Sequence, residues 1–357
     1  MSYINASILN DVLVREGTNE KRFQKLGLVD AAKDSTQFVD YILPSTKALF
    51  SNASSLQQTK IPVLVDQTVE VRTEASFNVP SNLPTSANYG FVCYNIFSGF
   101  RHYASNFASN QLDSDYVRAQ VLKNVLYSMA KTKESIIAAV LEERKTQKLG
   151  FTTQVSQGNG TFTFDEAVDT LKISKAAQKE TMFYNLSALM DSNDLLGGKR
   201  IITSLGGLTV QRTEAIKNGA NNASNVQGLG FLPEDRLYES GMLSAGSDIF
   251  NGWLIRDGDI GIYSNFPYEF SKGTKIGAKE FAISDVEVPF LNSRVNIYTN
   301  ADATDSTALI SAGKDSHSVM ASFEEMAILD RFYVVYRYNS DLSTRPNGIV
   351  KLSGLTV

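Results

Sequence analysis

Few residues in this chain are of the kinds that carry covalent chemistry, and their spacing leaves them without partners. The 357 residues include two histidines, His102 and His317, and one cysteine, Cys93. A serine nucleophile would need one of those histidines beside it, and no GxSxG turn exists to present one. Each histidine therefore reads as a hydrogen-bonded or exposed side chain rather than a base. Cys93 lies among Phe91, Val92 and Tyr94, which suits a small hydrophobe better than a reactive thiolate. Gly197, Gly198 and Lys199 lack the spacing of a phosphate loop and follow a helical pattern, so they read as a helix stop and a strand bend. Asp257, Gly258 and Asp259 open like a cation loop, but Ile260, Gly261 and Ile262 supply no alternating oxygen ligands, and a β-turn fits better. No catalytic residue, metal ligand or cofactor is assigned. Glu70, Arg72 and Glu74 share one face of an alternating stretch, either as a solvated face or as a charged edge that selects a neighbouring subunit. Phe332, Tyr333, Tyr336, Tyr338 and Trp253 read first as core, although Tyr and Trp are also enriched at interfaces.

Composition narrows the function classes. A hydrophobic share of 43% and a charged share of 20% are those of a folded chain. A net charge of −4 argues against tight binding to a phosphate backbone, so nucleic acid is at most a weak neighbour. One cysteine excludes an intramolecular disulfide framework and fits a reducing cytoplasm. The start, MSYINASILNDVLVREG, has no basic segment before an apolar run and is no secretory signal. No stretch of about 18 apolar residues suggests a membrane span.

The elements that must position these residues are unevenly sized. Residues 1–58 mix short amphipathic pieces with polar stretches and read as an arm. From Thr68 to Val79 the sequence alternates strictly, a half-buried strand; the turn-rich stretch Pro80 to Asn88 and a β-prone run from Tyr89 to Tyr103 complete a long hairpin. Asp113 to Gln147 then contains neither Pro nor Gly. Val117, Val121, Val125 and Met129 recur every four residues, Leu122 and Leu126 widen the stripe, and Ile136, Ile137, Val140 and Leu141 resume it after the polar Lys131 to Glu134. This predicts a strut roughly 50 Å long, packed along a sheet of its own chain and not paired with another helix. Thr163 and Glu166 have capping-box spacing and predict a second helix, broken near Ser174 and stopped by Gly197 and Gly198. Beyond Lys199 the chain is β-prone, with a short amphipathic helix over His317 to Arg331 before a strand over Phe332 to Asn339.

That order of elements, with the run FEEMAILDRFYVVYRYNSDLSTRPNGIVKL (Phe323 to Leu352) and the phrase GIYSNFPYEF (Gly261 to Phe270), resembles the major capsid proteins of tailed bacteriophages. These share the Hong Kong 97 capsid fold, of α+β class. The resemblance implies an N-terminal arm (1–58), an extended loop formed by the hairpin (59–112) and a peripheral domain with the spine helix (113–197). An axial domain (198–330) and a returning C-terminal strand (331–357) follow. The implied function is structural: self-assembly into pentamers and hexamers of an icosahedral virion shell around double-stranded DNA, put together in the host cytoplasm. The implied partners are copies of the chain itself and scaffolding, portal and decoration proteins, with no membrane. The chain begins at Met1, so cleavage of an N-terminal scaffolding segment is not expected. Subunit contacts are expected at Glu70, Arg72 and Glu74 and at the hairpin tip, Pro80, Asn82 and Pro84. The alternatives are an encapsulin-like compartment shell of the same fold and a β-rich carbohydrate-active protein, against which stands the missing signal peptide.

Overall fold

The computed structural model describes residues 26–40, 42, 44, 47, 60–64, 86–90, 92–102, 111–150, 161–180, 182–204, 206–207, 236–244, 246–264, 274–276, 279–288, 291, 293–305, 309–312, 315–318, 321–337, 343 and 346–356. Among the described residues, helix α1 (Gly27–Thr36) comes first, then strands β1 (Lys60–Leu64), β2 (Ser86–Gly90) and β3 (Val92–His102), and the long helix α2 (Gln111–Arg144). Strands β4 (Phe162–Asp165) and β5 (Thr170–Ile173) precede two short helices, α3 (Lys175–Glu180) and α4 (Met182–Ser192). The rest is strand: β6 (Lys199–Ser204), β7 (Arg236–Ser240), β8 (Phe250–Arg256), β9 (Ile260–Ser264), β10 (Thr274–Ile276), β11 (Lys279–Val288), β12 (Ser293–Asp305), β13 (Leu309–Ala312), β14 (Asp315–Ser318), β15 (Ala321–Tyr336) and β16 (Ile349–Gly354). The chain is a mixed helix and sheet protein, as its texture predicts.

Two six-stranded sheets dominate. One runs β10-β11-β12-β15-β3, all antiparallel, and β9 takes over from β12 along the end of β15. The other runs β4-β5-β16-β8-β6-β7, with β16 parallel to β5 and β6 parallel to β7. In the second sheet neighbouring residues face opposite ways, as a pleat demands. Trp253, Ile255, Ile202 and Ile349 join the core that contains the long helix, while Leu254, Ile201, Val350 and Leu352 join a separate core with Phe183, Leu186 and Met190 of α4. The first core also holds Ile96, Ile297, Met326, Ile328, Phe332 and Val334 of the other sheet. One face of α2 thus serves both sheets.

The long helix has 34 residues, roughly 50 Å. Its buried row is Leu122, Leu126, Met129, Lys133, Ile137 and Val140, and the valines at 117, 121 and 125 are its half-buried flank. The row is not interrupted at its middle: Lys133 and Glu134 are fully buried, so the polar stretch lies partly inside the stripe. The helix packs on a sheet as expected, but α1 also lies against it, with Leu28, Val29, Ala31 and Ala32 in the same core.

Of the second predicted helix, the part before the break near Ser174 is strand and the part after it is helical, and the short helix predicted over His317 to Arg331 is strand where it is described. Residues 162–173 form the antiparallel hairpin β4-β5. The Asp165 carboxylate accepts the Ala167 N–H at 3.0 Å and pairs with Lys172 at 2.7 Å, and Asp169 takes a φ of 51°, so local turn chemistry prevails over the capping-box spacing. The helix start lies later, where Ser174 accepts the Ala177 N–H at 3.4 Å. Of residues 317–331, 317 and 318 belong to β14 and 321–331 to β15. The inward row of β15, Met326, Ile328, Asp330, Phe332, Val334 and Tyr336, is strictly alternating, and its one charge conceals the pattern.

The expected hairpin is described only in part. Residues 86–88, assigned to its tip, are strand, and β2 pairs antiparallel with β1. The tail of the run, β3, pairs with β15 in the main sheet. The stretch Thr68 to Val79, and with it Glu70, Arg72 and Glu74, lies outside the described residues, as do Pro80, Asn82 and Pro84.

Candidate functional site: a polar crossing on the long helix

The middle of α2 carries two adjacent buried ionisable side chains, and successive helical residues point about 100° apart. They consequently reach different neighbours. Lys133 donates to Oδ2 of Asp330 at 3.1 Å and to the Leu291 carbonyl at 3.1 Å, and its Nζ sits 4.4 Å from the centre of the Phe332 ring. Both members of the ion pair are fully shielded from solvent. Burial pulls the Lys133 ammonium below its ordinary value, and the Asp330 charge opposes the fall. The bond fastens α2 to the centre of the β15 sheet.

Glu134 reaches the other way. Its Oε1 accepts the backbone N–H of Val29 at 2.9 Å, and its Oε2 accepts the Ser240 hydroxyl at 2.7 Å. Burial pushes its carboxyl up to about 7, against hydrogen bonds from Ser240 and Val29 and with the Asp30 charge adding to the rise. This side chain joins α2 to the first turn of α1 and to β7.

A shell of bonds fixes α1 against the sheets. Ser35 Oγ accepts the Gly258 N–H at 2.9 Å, and Thr36 Oγ1 accepts the Ile262 N–H at 2.8 Å. Arg200 pairs with Asp257 at 2.5 Å and Asp34 at 3.5 Å, and donates to the Tyr238 hydroxyl at 2.8 Å. At the far end of α2, Asn347 donates to the Arg144 carbonyl at 2.6 Å, Thr146 N–H bonds Ile349 O at 2.8 Å, and Lys351 pairs with Glu142 at 2.8 Å. Chemically this is bracing: its polar groups are spent on one another.

The residues screened for chemistry are dispersed. Cys93 is half-buried beside Val39, Ile42 and Tyr333, and burial raises its thiol above the ordinary value, against a hydrogen bond to Tyr333. His102 is buried at the end of β3, and His317 is in β14. Residues 257–259 form the turn between β8 and β9, with Gly258 at a φ of 86° and Asp259 paired with Arg256 at 2.7 Å. Gly197, at a φ of 119°, separates α4 from β6, and Lys199 pairs with Asp191 at 3.0 Å. Among the described residues no group of three or more His, Cys, Asp or Glu is placed to hold a metal ion, and no helix is long and apolar enough to cross a membrane. Lys133, Glu134 and Asp330 were missed in the sequence. The signal was spacing: Leu126, Met129, Lys133, Ile137 and Val140 share one helical face.

No family model and no curated protein matches the chain. Among solved structures it is similar to a chain from the capsid structure of the cyanophage P-SCSP1u, with 12% identity, a TM-score of 0.46 and 86% of each chain covered. It is also similar to a chain of Mycobacterium phage Che8, with 12% identity, a TM-score of 0.45 and coverage of 88% of this chain and 90% of that one, and to one from the capsid of Ralstonia phage GP4, with 10% identity, a TM-score of 0.38 and 90% of each covered.

Proposed function

We propose that the chain is a structural subunit of a tailed-phage capsid, with the Hong Kong 97 type of organisation, and not an enzyme. What supports it is the long helix α2, whose buried polar groups tie one beam to two sheets and to helix α1. An enzyme gathers such groups around a cavity to meet a substrate; here they meet each other.

In this reading residues 1–58 are the arm, 59–112 the extended loop, 113–197 the peripheral domain with α2 as its spine, 198–330 the axial domain and 331–357 the returning strand. Copies assemble into pentamers and hexamers around double-stranded DNA, in the host cytoplasm and then the virion. Scaffolding, portal and decoration proteins are the further partners. Head-to-tail contacts close such rings, and many modest contacts together supply strength. Glu70, Arg72 and Glu74, with Pro80, Asn82 and Pro84, lie across the adjacent subunit. Negative-stain electron microscopy of the protein expressed alone and with its neighbouring genes tests the reading. Closed shells are expected in at least one condition, and monomers in all of them would refute it.

A further inference from the structure

Helix α1 begins without a cap of its own. Its N-cap residue, Leu26, makes no side-chain cap bond, and its first residues, Gly27, Leu28 and Val29, are buried, where water cannot serve their free N–H groups. The cap comes from 105 residues away: Glu134 accepts the Val29 N–H and, through its other oxygen, the Ser240 hydroxyl. The same corner is tightly closed. Leu26 forms a β-bridge with Ser240, and a Cβ on Gly27 would lie 2.4 Å from the Glu239 carbonyl oxygen.

We propose that Glu134 is a proton-operated latch that holds helix α1 against α2 and β7, more tightly in acid than in alkali. Around this corner the packed elements carry Asp30, Lys33 and Asp34 of α1, Lys131 and Lys133 of α2, Arg236 and Glu239 of β7 and Asp330 of β15. Lys133 is engaged by Asp330, and Asp30 disfavours a second negative charge at Glu134. A protonated carboxyl keeps both bonds, because its carbonyl oxygen still accepts from Val29 and its O–H can donate to Ser240 Oγ. It also sheds the cost of a buried charge.

The direction follows from linkage. Burial raises the carboxyl to about 7 in the folded chain, against about 4.3 when free. Its contribution to docking is complete below about 4.3, declines as the pH rises and is gone above about 7. The latch is a property of one subunit and does not depend on the shell reading.

Hydrogen exchange followed by mass spectrometry on the intact chain, corrected for the intrinsic pH dependence of exchange, reads the latch in peptides covering 26–36. Protection is expected to fall by up to about tenfold per pH unit between about pH 5 and 7 and then level off. Glu134→Gln is expected to keep the acid level of protection throughout. A flat wild-type profile, or a slope that survives in Glu134→Gln, overturns the proposal. If that variant does not fold, the carboxyl carbon resonance of Glu134 in the wild-type protein decides: a midpoint near 7 supports the latch, and one near 4.3 overturns it.

Discussion

The Lys133–Asp330 pair shows how a residue can be structural because it is charged. Both side chains are completely buried on facing elements, and the Oδ1 atom of Asp330 has no hydrogen-bond partner among the described residues. Removing one member leaves the other charge in an apolar core, which costs about 3–5 kcal/mol, whereas replacing both by apolar residues of similar size is often neutral. Lys133→Ala and Asp330→Ala should each lower unfolding free energy by about that amount, and Lys133→Met with Asp330→Leu should recover most of it. Urea denaturation of the three variants measures this. Gly27→Ala is expected to undo the α1 docking, because the new methyl meets the Glu239 backbone at 2.4 Å. Faster exchange confined to α1 would mark it. In the sequence these residues were legible by position and illegible by type. Lys133 falls on the stripe defined by Leu126 and Ile137, but a lysine is almost never fully buried without a partner, and that partner is 197 residues away.

Among the elements, α2 was readable because 34 residues without Gly or Pro leave little else for the chain to form. Its end was set a few residues early, at Arg144, where Asn347 takes the last carbonyl. The strands β4, β5 and β15 were misread because two patterns competed on the same letters. In 162–173 a capping-box spacing coincided with an Asp-rich turn, and the turn prevailed through the Asp165 side chain. In β15 the alternation is complete only when Asp330 is counted as inward, and this requires knowing of Lys133. Packing was accordingly the hidden variable. Leu126→Ala should cost about 2–5 kcal/mol, since its side chain is fully buried between α2 and the sheets. The same change at Tyr116, which is 64% exposed, should be nearly silent by thermal denaturation.

For the whole molecule, a shell subunit must be rigid where it is thick and adaptable where it meets its neighbours. In the proposed shell role, the bracing of α2 would supply the first property and the proposed contacts at the loop the second. Removing residues 80–85 leaves β2 intact and should leave the monomer folded by circular dichroism while abolishing closed particles by electron microscopy. Intact particles from that variant would remove the loop from the contact. One further consequence lies in the strand order. Strand β16 joins β5 to β8, yet it is translated after every other strand of its sheet. Until Ile349 to Gly354 leave the ribosome, β4 and β5 have no sheet to join, and the core around α4 stays open. Completion of this fold is therefore timed by synthesis: a chain that stops before Ile349 keeps β8, β6 and β7 paired but leaves β4 and β5 with no strand to join them.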